Sequence, residues 1–333
     1  MTEPLIGRCD AILADLDGVV YAGPHAILGA PEALQRAKSQ GVPVIYVTNN
    51  ASRAVEGVAE HLSELGIPTE AADVASSAQA AGQLLREKLP EGSRVLVTGA
   101  QALADCLLAV GLTPVRTQDE QPVAVVQGFD PAIGWSDLAE AAYVLADESV
   151  LWIATNTDST IPRERGIAPG NGSLVAAVAG ATKRTPVVAG KPEAPIFRTG
   201  AQRVDASHPL VVGDRLDTDI LGGNRAGFET VLVLTGVDTA QSALAAVTGQ
   251  RPTHLIATLA GLFEPAAQIE LDEDAAEVTA RCGAATATAA RGTVTITGGQ
   301  DDLDVWRCAC AAWWALHPEV TTADLPQLVW ERS

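Results

Sequence analysis

Ala11-Ile12-Leu13-Ala14-Asp15-Leu16-Asp17-Gly18-Val19-Val20 opens with a short apolar run and continues into two carboxylates two residues apart. Residues 11–15 read as a buried strand. The acidic pair therefore stands at a strand's carboxyl end, where open α/β folds turn into the crevice that binds ligands. Gly18 permits a backbone conformation that residues with a Cβ resist. One carboxylate can attack phosphorus, while the other hands a proton to the leaving oxygen and later takes one from water. Alone, the D-x-D-G pattern equally describes an acidic turn or a fragment of a calcium loop.

Working outward, short runs rich in Val and Ile alternate with longer segments of helical period, which predicts an α/β protein with a mostly parallel sheet. A helix is expected over residues 31–40, a strand over 42–47 and a helix over 53–65. A second set starts near residue 76, with strands over 94–97, 123–127 and 150–154 and helices over 78–88, 102–110 and 137–146. A long polar loop follows over 155–170. From residue 187 the first rhythm resumes, with strands at 210–212, 230–234 and 254–256 and helices at 194–203 and 218–226. The reading is a discontinuous core, residues 1–75 and 188–264, with a second α/β unit, residues 76–187, inserted between its crossovers. Residues 265–333 change in texture and predict a small α+β extension with one or two strands near 293–297 and a helix over 303–316. Trp306, Trp313 and Trp314 there read as packing residues.

Composition narrows the function. With 333 residues, 47% of them hydrophobic and 19% charged, the chain can bury sizeable cores. A formal charge of −19 argues against nucleic acid and against an anionic membrane surface as partners. It leaves room for a small anionic substrate, because a metal ion and a few donors can reverse the field in one pocket. Five cysteines, an odd number in a long chain, suggest no disulfide framework, and the C-x-C pair Cys308 and Cys310 lacks a second Cys/His pair at zinc-site spacing and reads as packed thiols. The first residues lack the charge and apolar core of a signal peptide, and no run is long enough to span a bilayer, so a cytoplasmic location is expected.

Three further motifs end predicted strands. Thr48-Asn49-Asn50 offers a hydroxyl, amides and the backbone N–H groups of a helix start, a phosphate cradle; Asn50 or Ser52 could equally cap that helix. Lys191 in Ala189-Gly190-Lys191-Pro192 is one of only four lysines beside 18 arginines and suits a compact point charge, although an exposed surface lysine is the commoner case. Gly213-Asp214-Arg215-Leu216-Asp217-Thr218-Asp219 brings three carboxylates to a strand's end. Asp214 suits Mg²⁺, and Asp217 reads as an acidic helix start. Nucleophile, acid, cradle, cation and metal carboxylate together are the inventory of phosphoryl transfer.

With DLDGVVY, VTNNASR, AGKP and GDRLDTDILGG in hand, the chain over about residues 10–264 resembles the haloacid-dehalogenase superfamily phosphatases with a large α/β cap inserted after the second motif (class IIA). The resemblance implies a Rossmann-like parallel-sheet core with a C2a-type cap, and Mg²⁺ as cofactor. It implies Asp15 as nucleophile, Asp17 as general acid/base and Lys191 as stabilising cation. Asp15, Asp17 and Asp214 would hold the metal, with Asp219 supporting them, and Thr48, Asn49, Asn50 and Lys191 would hold phosphate. Residues 155–172 resemble the cap loop that closes over substrate in that family, which adds Asn156 and Asp158 as substrate contacts; Arg163 and Arg165 on it are candidate anchors.

Gly170-Asn171-Gly172 lies after a Pro-rich loop rather than a strand. It therefore reads as a helix start whose amides face the substrate, not as a dinucleotide fingerprint. The expected reaction is hydrolysis of a small phosphomonoester through an aspartyl-phosphate, with glycerol 3-phosphate first and phosphoglycolate the alternative. A non-catalytic binding protein on the same scaffold is the rival from another class. The partner expected is a phosphorylated metabolite, with homo-oligomerisation allowed. Residues 265–333 have no counterpart in that class. They faintly resemble part of an acetyltransferase-like fold without its pyrophosphate loop, and their removal is expected to spare the chemistry at some cost in solubility.

Overall fold

The computed structural model describes residues 3–163, 165–274 and 276–331. It falls into two compact units, Met1–Val44 with Ala206–Ser333, and Ile45–Asp205.

In the first unit four parallel strands lie in the order Ala11–Ala14, Pro209–Gly213, Glu229–Val233 and His254–Ile256. Nearly every residue in them is apolar and buried, the composition a parallel sheet needs when both faces are covered. Helix Ala30–Ser39 starts with a proline in its first turn and buries Ala30, Ala33, Leu34 and Ala37, one stripe of helical period. After Gly213 the backbone does not enter the plain helix expected from residue 218. It first makes a π-helical turn, Leu216–Ile220, in which the Arg215 carbonyl accepts from the N–H groups of both Asp219 and Ile220, and then the short helix Leu221–Ala226. Such turns concentrate at functional sites.

The extension holds more strand than its sequence suggests. Glu270–Glu273, Glu277–Cys282, Ala285–Ala290 and Thr293–Thr297 form an antiparallel meander, and Gln327–Glu331 adds in parallel to the last of them. Alternation of small and polar residues hid these strands: Val278, Ala280, Ala285, Ala287, Ala289, Val294 and Ile296 are buried, while Thr279, Thr286, Thr288 and Thr295 are not. The alanines let helix Leu303–Leu316 approach closely, with Val305, Cys308, Ala309 and Ala312 facing them. Arg251 donates to the carbonyls of His317 and Pro318 at that helix's end, which Pro318 cannot continue. Trp313 is buried, Trp306 meets Trp330 edge to face at 5.7 Å, and Trp314 lies under the Arg251 guanidinium, as their packing role requires.

The extension shares one hydrophobic core with the parallel sheet: Leu216, Ile220, Leu232, Leu244 and Leu255 pack with its strands and helix. All five cysteines are free. Burial pushes the Cys9 and Cys106 thiols up to about 11 and Cys308 up to about 12, so they stay protonated at neutral pH.

In the second unit, Tyr46, Val47 and Thr48 of the strand Val44–Thr48 pair in parallel with Val74–Ser76, and Ser76 with Gln79 makes a capping box for helix Ser77–Lys88. A separate sheet of five parallel strands runs Val187–Val188, Leu151–Ala154, Ala124–Gln127, Arg94–Thr98 and Thr113–Val115. From Arg94–Thr98 the chain steps to one edge and then reverses to build the other side. That is the doubly wound order, with its switch point between Arg94–Thr98 and Ala124–Gln127. Leu96, Val125, Trp152, Val144, Val175 and Val178 form its core. The segment read as a long polar loop contains a hairpin, Thr160–Arg163 against Gly166–Pro169, and then helix Asn171–Thr182. The side chain of Arg163 lies outside the described residues; Arg165 is exposed.

Removing residues 265–333 would uncover Leu216, Ile220, Leu232, Leu244 and Leu255, each a loss of roughly 1.5–3 kcal/mol if fully exposed. The truncated chain is therefore expected to lose its cooperative thermal transition or aggregate, measured by calorimetry and light scattering. An unchanged transition would show that the shared core contributes nothing.

Candidate active site

Asp15, Asp17, Asp214 and Asp219 belong to the first unit. The Asp15 N–H donates to the Val212 carbonyl at 2.9 Å, so sheet pairing continues to the carboxylate itself. The chain then reverses: the N–H groups of Val20 and Tyr21 both donate to the Leu16 carbonyl, and Asp17, exposed, stands on the turn. Gly18 adopts φ +79°, and a Cβ there would collide with the Asp214 carboxylate, so glycine is required twice over at this position.

Asp214 follows the neighbouring strand. Its Oδ2 accepts from the Val237 N–H at 2.7 Å, and a Cβ on Gly236 would strike the same carboxylate. Thr235 Oγ1 donates to the Gly18 carbonyl at 2.6 Å and ties the two turns together. Asp219 Oδ2 accepts from the Arg215 N–H at 3.2 Å, which fixes the carboxylate at the π-helical turn. Asp214 and Asp219 are each 1% exposed.

Carboxylate oxygens of Asp15, Asp214 and Asp219 all lie within 4.8 Å of one another. An all-oxygen donor set of three carboxylates is what a hard divalent cation takes. Asp219, expected only to support the ligands, thus enters the same cluster. Asp217 stays outside it, exposed and paired in a two-point salt bridge with Arg215, and that hydrogen-bonded carboxylate raises the arginine's pKa.

Thr48, Asn49, Asn50, Asn156, Asp158 and Lys191 belong to the second unit. Thr48 ends its strand, and its Oγ1 accepts from the Asn50 N–H at 3.1 Å. Asn50 Oδ1 accepts from both the N–H and the hydroxyl of Ser52. This is an Asx turn rather than a helix cap: helix Val55–Glu64 starts at Ala54 with no side-chain cap. Lys191 is 4% exposed, so it is no ordinary surface lysine.

The Asn49 carboxamide is engaged at both ends. Oδ1 accepts from the Lys191 N–H at 2.8 Å, and Nδ2 donates to the Lys191 carbonyl at 3.2 Å and to Asp158 Oδ2 at 3.1 Å. Asn156 Nδ2 donates to the Asn49 carbonyl at 2.9 Å. Lys191, Asn49, Asn156 and Asp158 are therefore one hydrogen-bonded group.

Three further residues join this group, of which Ser77 alone carried no signal in the sequence. Ser77, fully buried, donates to the Asn49 carbonyl at 2.7 Å. Gly190 lets Asn49 Oδ1 and the Thr155 carbonyl approach where a Cβ would sit. Asn171 donates to the Asn156 carbonyl at 2.7 Å. The Gly before Lys191 was a usable signal, whereas Ser77 looked like any helix-start serine.

Residues 12–113 match the family described as "Haloacid dehalogenase-like hydrolase" and residues 188–262 that described as "HAD-hyrolase-like". The D-glycerol 3-phosphate phosphatase of Mycobacterium tuberculosis is 48% identical over 246 residues, 74% of this chain and 69% of that protein. The glycerol-3-phosphate phosphatase of Gallus gallus is 38% identical over 71% of this chain and 82% of its own. Among solved structures, the glycerol phosphate phosphatase of Mycobacterium tuberculosis in complex with magnesium matches with a TM-score of 0.83 at 39% identity, covering 100% of this chain and 96% of that one. That coverage corrects the expectation that residues 265–333 have no counterpart among such phosphatases.

Gly18→Ala is expected to cost on the order of 1–3 kcal/mol in denaturant unfolding, since strain and the clash with Asp214 add. Gly23→Ala, at φ +59° with open space around it, should cost only about 1 kcal/mol. Equal losses would show that the carboxylate does not constrain Gly18.

Proposed function

The chain belongs to the haloacid dehalogenase-like hydrolases, and from that premise we propose that it hydrolyses glycerol 3-phosphate to glycerol and phosphate with Mg²⁺ as cofactor. The observation that carries the reading is the cluster of Asp15, Asp214 and Asp219 at the carboxyl edge of a parallel sheet, with Asp17 on the adjoining turn. The cluster's oxygen donors fit Mg²⁺, which Asp15, Asp214 and the Asp17 carbonyl would hold with Asp219 beside them. Bound there, the ion neutralises charge on the attacking carboxylate and on the phosphoryl oxygens.

In this reading an Asp15 carboxylate oxygen attacks phosphorus, and the bond from phosphorus to the ester oxygen breaks. Asp17 gives its proton to that oxygen, which leaves as the free alcohol. Asp17, now ionised, takes a proton from water as the water attacks the aspartyl-phosphate. Phosphate leaves and the Asp15 carboxylate returns. Thr48 and Asn50 supply donors to the phosphoryl oxygens, and Lys191 neutralises the charge spreading over them. Glycerol 3-phosphate is favoured over other phosphomonoesters because the curated relative with 48% identity acts on it.

No helix among the described residues is long and apolar enough to cross a membrane. Five free thiols suit a reducing cytoplasm.

The test is phosphate release from a panel containing glycerol 3-phosphate, phosphoglycolate, pyridoxal phosphate and 4-nitrophenyl phosphate, with Mg²⁺ or with EDTA. Glycerol 3-phosphate should give the highest kcat/KM, EDTA should abolish release, and Asp15→Asn should leave none. Faster turnover of phosphoglycolate would overturn the substrate, and metal-independent release would overturn the mechanism.

A further inference from the structure

We infer that Gly170-Asn171-Gly172 is a clamp that positions Lys191 through two intervening asparagines, Asn156 and Asn49. The inference deepens the proposed function and rests on it for the role of Lys191.

The motif opens helix Asn171–Thr182, and helix starts commonly serve as anion sites. Here the donors are spent on protein. Gly170 N–H donates to the Ser159 carbonyl and Gly172 N–H to the Asp158 carbonyl, both at 2.9 Å. A Cβ on Gly170 would land on the Asp158 carbonyl, and one on Gly172 on the Thr157 carbonyl. The two glycines are what allow the backbone of residues 157–159 to lie directly on the helix start. Asn171 is 1% exposed, and its Nδ2 donates to the Asn156 carbonyl at 2.7 Å and, at 3.5 Å, to the Gln127 carbonyl at the carboxyl edge of the five-stranded sheet. Its amide does not cap its own helix, whose N-cap is Gly170 with no side-chain bond. Its burial keeps it from substrate.

From there the connection is continuous. Asn156, 5% exposed, accepts the Asp158 N–H on Oδ1 and donates from Nδ2 to the Asn49 carbonyl. Asn49 then grips the Lys191 backbone at its N–H and its carbonyl with one carboxamide, and grips the Asp158 carboxylate with its remaining amide hydrogen. Every residue in the chain of contacts belongs to the Ile45–Asp205 unit. A neutral hydrogen bond contributes only about 0.5–1.5 kcal/mol to stability, but a lysine displaced by an ångström from the transferring group can cost up to a hundredfold in rate. Asn171 is thus a positioning residue whose worth lies in where it holds Lys191.

The experiment uses the full-length chain with Asn171→Ala, Asn156→Ala and the double variant. Turnover of 4-nitrophenyl phosphate is measured with Mg²⁺, and the backbone amide resonance of Lys191 is followed in ¹⁵N-labelled protein. Each single change is expected to lower kcat by on the order of tenfold with KM shifted less than about twofold. The double should lose no more than the larger single. The Lys191 amide signal should move in each.

Multiplying effects in the double, or a Lys191 amide unmoved by Asn171→Ala, would overturn the clamp. If Asn171→Ala does not fold, Asn171→Ser carries the same two readouts. The amide readout needs no turnover, so an inactive wild type would sink the proposed function while still testing the clamp.

Discussion

Three carboxylates whose oxygens lie within 4.8 Å would, when ionised, repel one another by about 3–4 kcal/mol per pair at an effective dielectric near 20. The fold has to hold them there against that repulsion, and much of the first unit is arranged around doing so. Asp15 and Asp214 extend from adjacent buried strands, so sheet pairing fixes their backbones. Gly18 and Gly236 keep side chains away from the Asp214 carboxylate, and Thr235 locks the Gly18 turn. The π-helical turn brings Asp219 into the cluster where a regular helix would start elsewhere. Such a concentration of carboxylate oxygens suits a divalent cation, and this links the architecture to metal-assisted phosphoryl transfer.

The second unit solves a different problem, that of placing one buried lysine. Its backbone is held by the carboxamide of Asn49, and the loop that follows the strand Leu151–Ala154 holds that residue in turn, Asp158 at the carboxamide and Asn156 at the backbone carbonyl. Neutral amides suit this task because each donates and accepts at fixed angles without the desolvation cost of a charge. The lysine then carries the charge and its neighbours carry the geometry.

Much of this was legible in the sequence because the relevant signals are local. Strand-ending motifs such as Asp15-Leu16-Asp17-Gly18 and Gly213-Asp214 announce themselves by an apolar run stopping at a polar residue, and the strand His254–Ile256 and helix Leu303–Leu316 appear at the residues their periodicity indicates. What stayed hidden is non-local or weakly apolar. Alternating Ala and Thr in Ala285–Ala290 carries little hydrophobic contrast, so the sequence suggested one or two strands where the described residues of the extension form five. The hairpin Thr160–Arg163 with Gly166–Pro169 is short and Pro-containing, and reads as loop. Asn49 shows only as a residue type suited to phosphate. Its bonds to Lys191 join positions 142 residues apart, which no spacing rule anticipates.

The central claim, that Asp15 is the nucleophile within the carboxylate cluster, is tested most directly by trapping the phosphorylated enzyme during turnover. Acid quench within milliseconds, borohydride reduction and peptide mapping would identify the modified side chain. The account predicts reduction of the Asp15 side chain alone. Modification at a different residue, or an unmodified Asp15 in samples that are releasing phosphate, would contradict it.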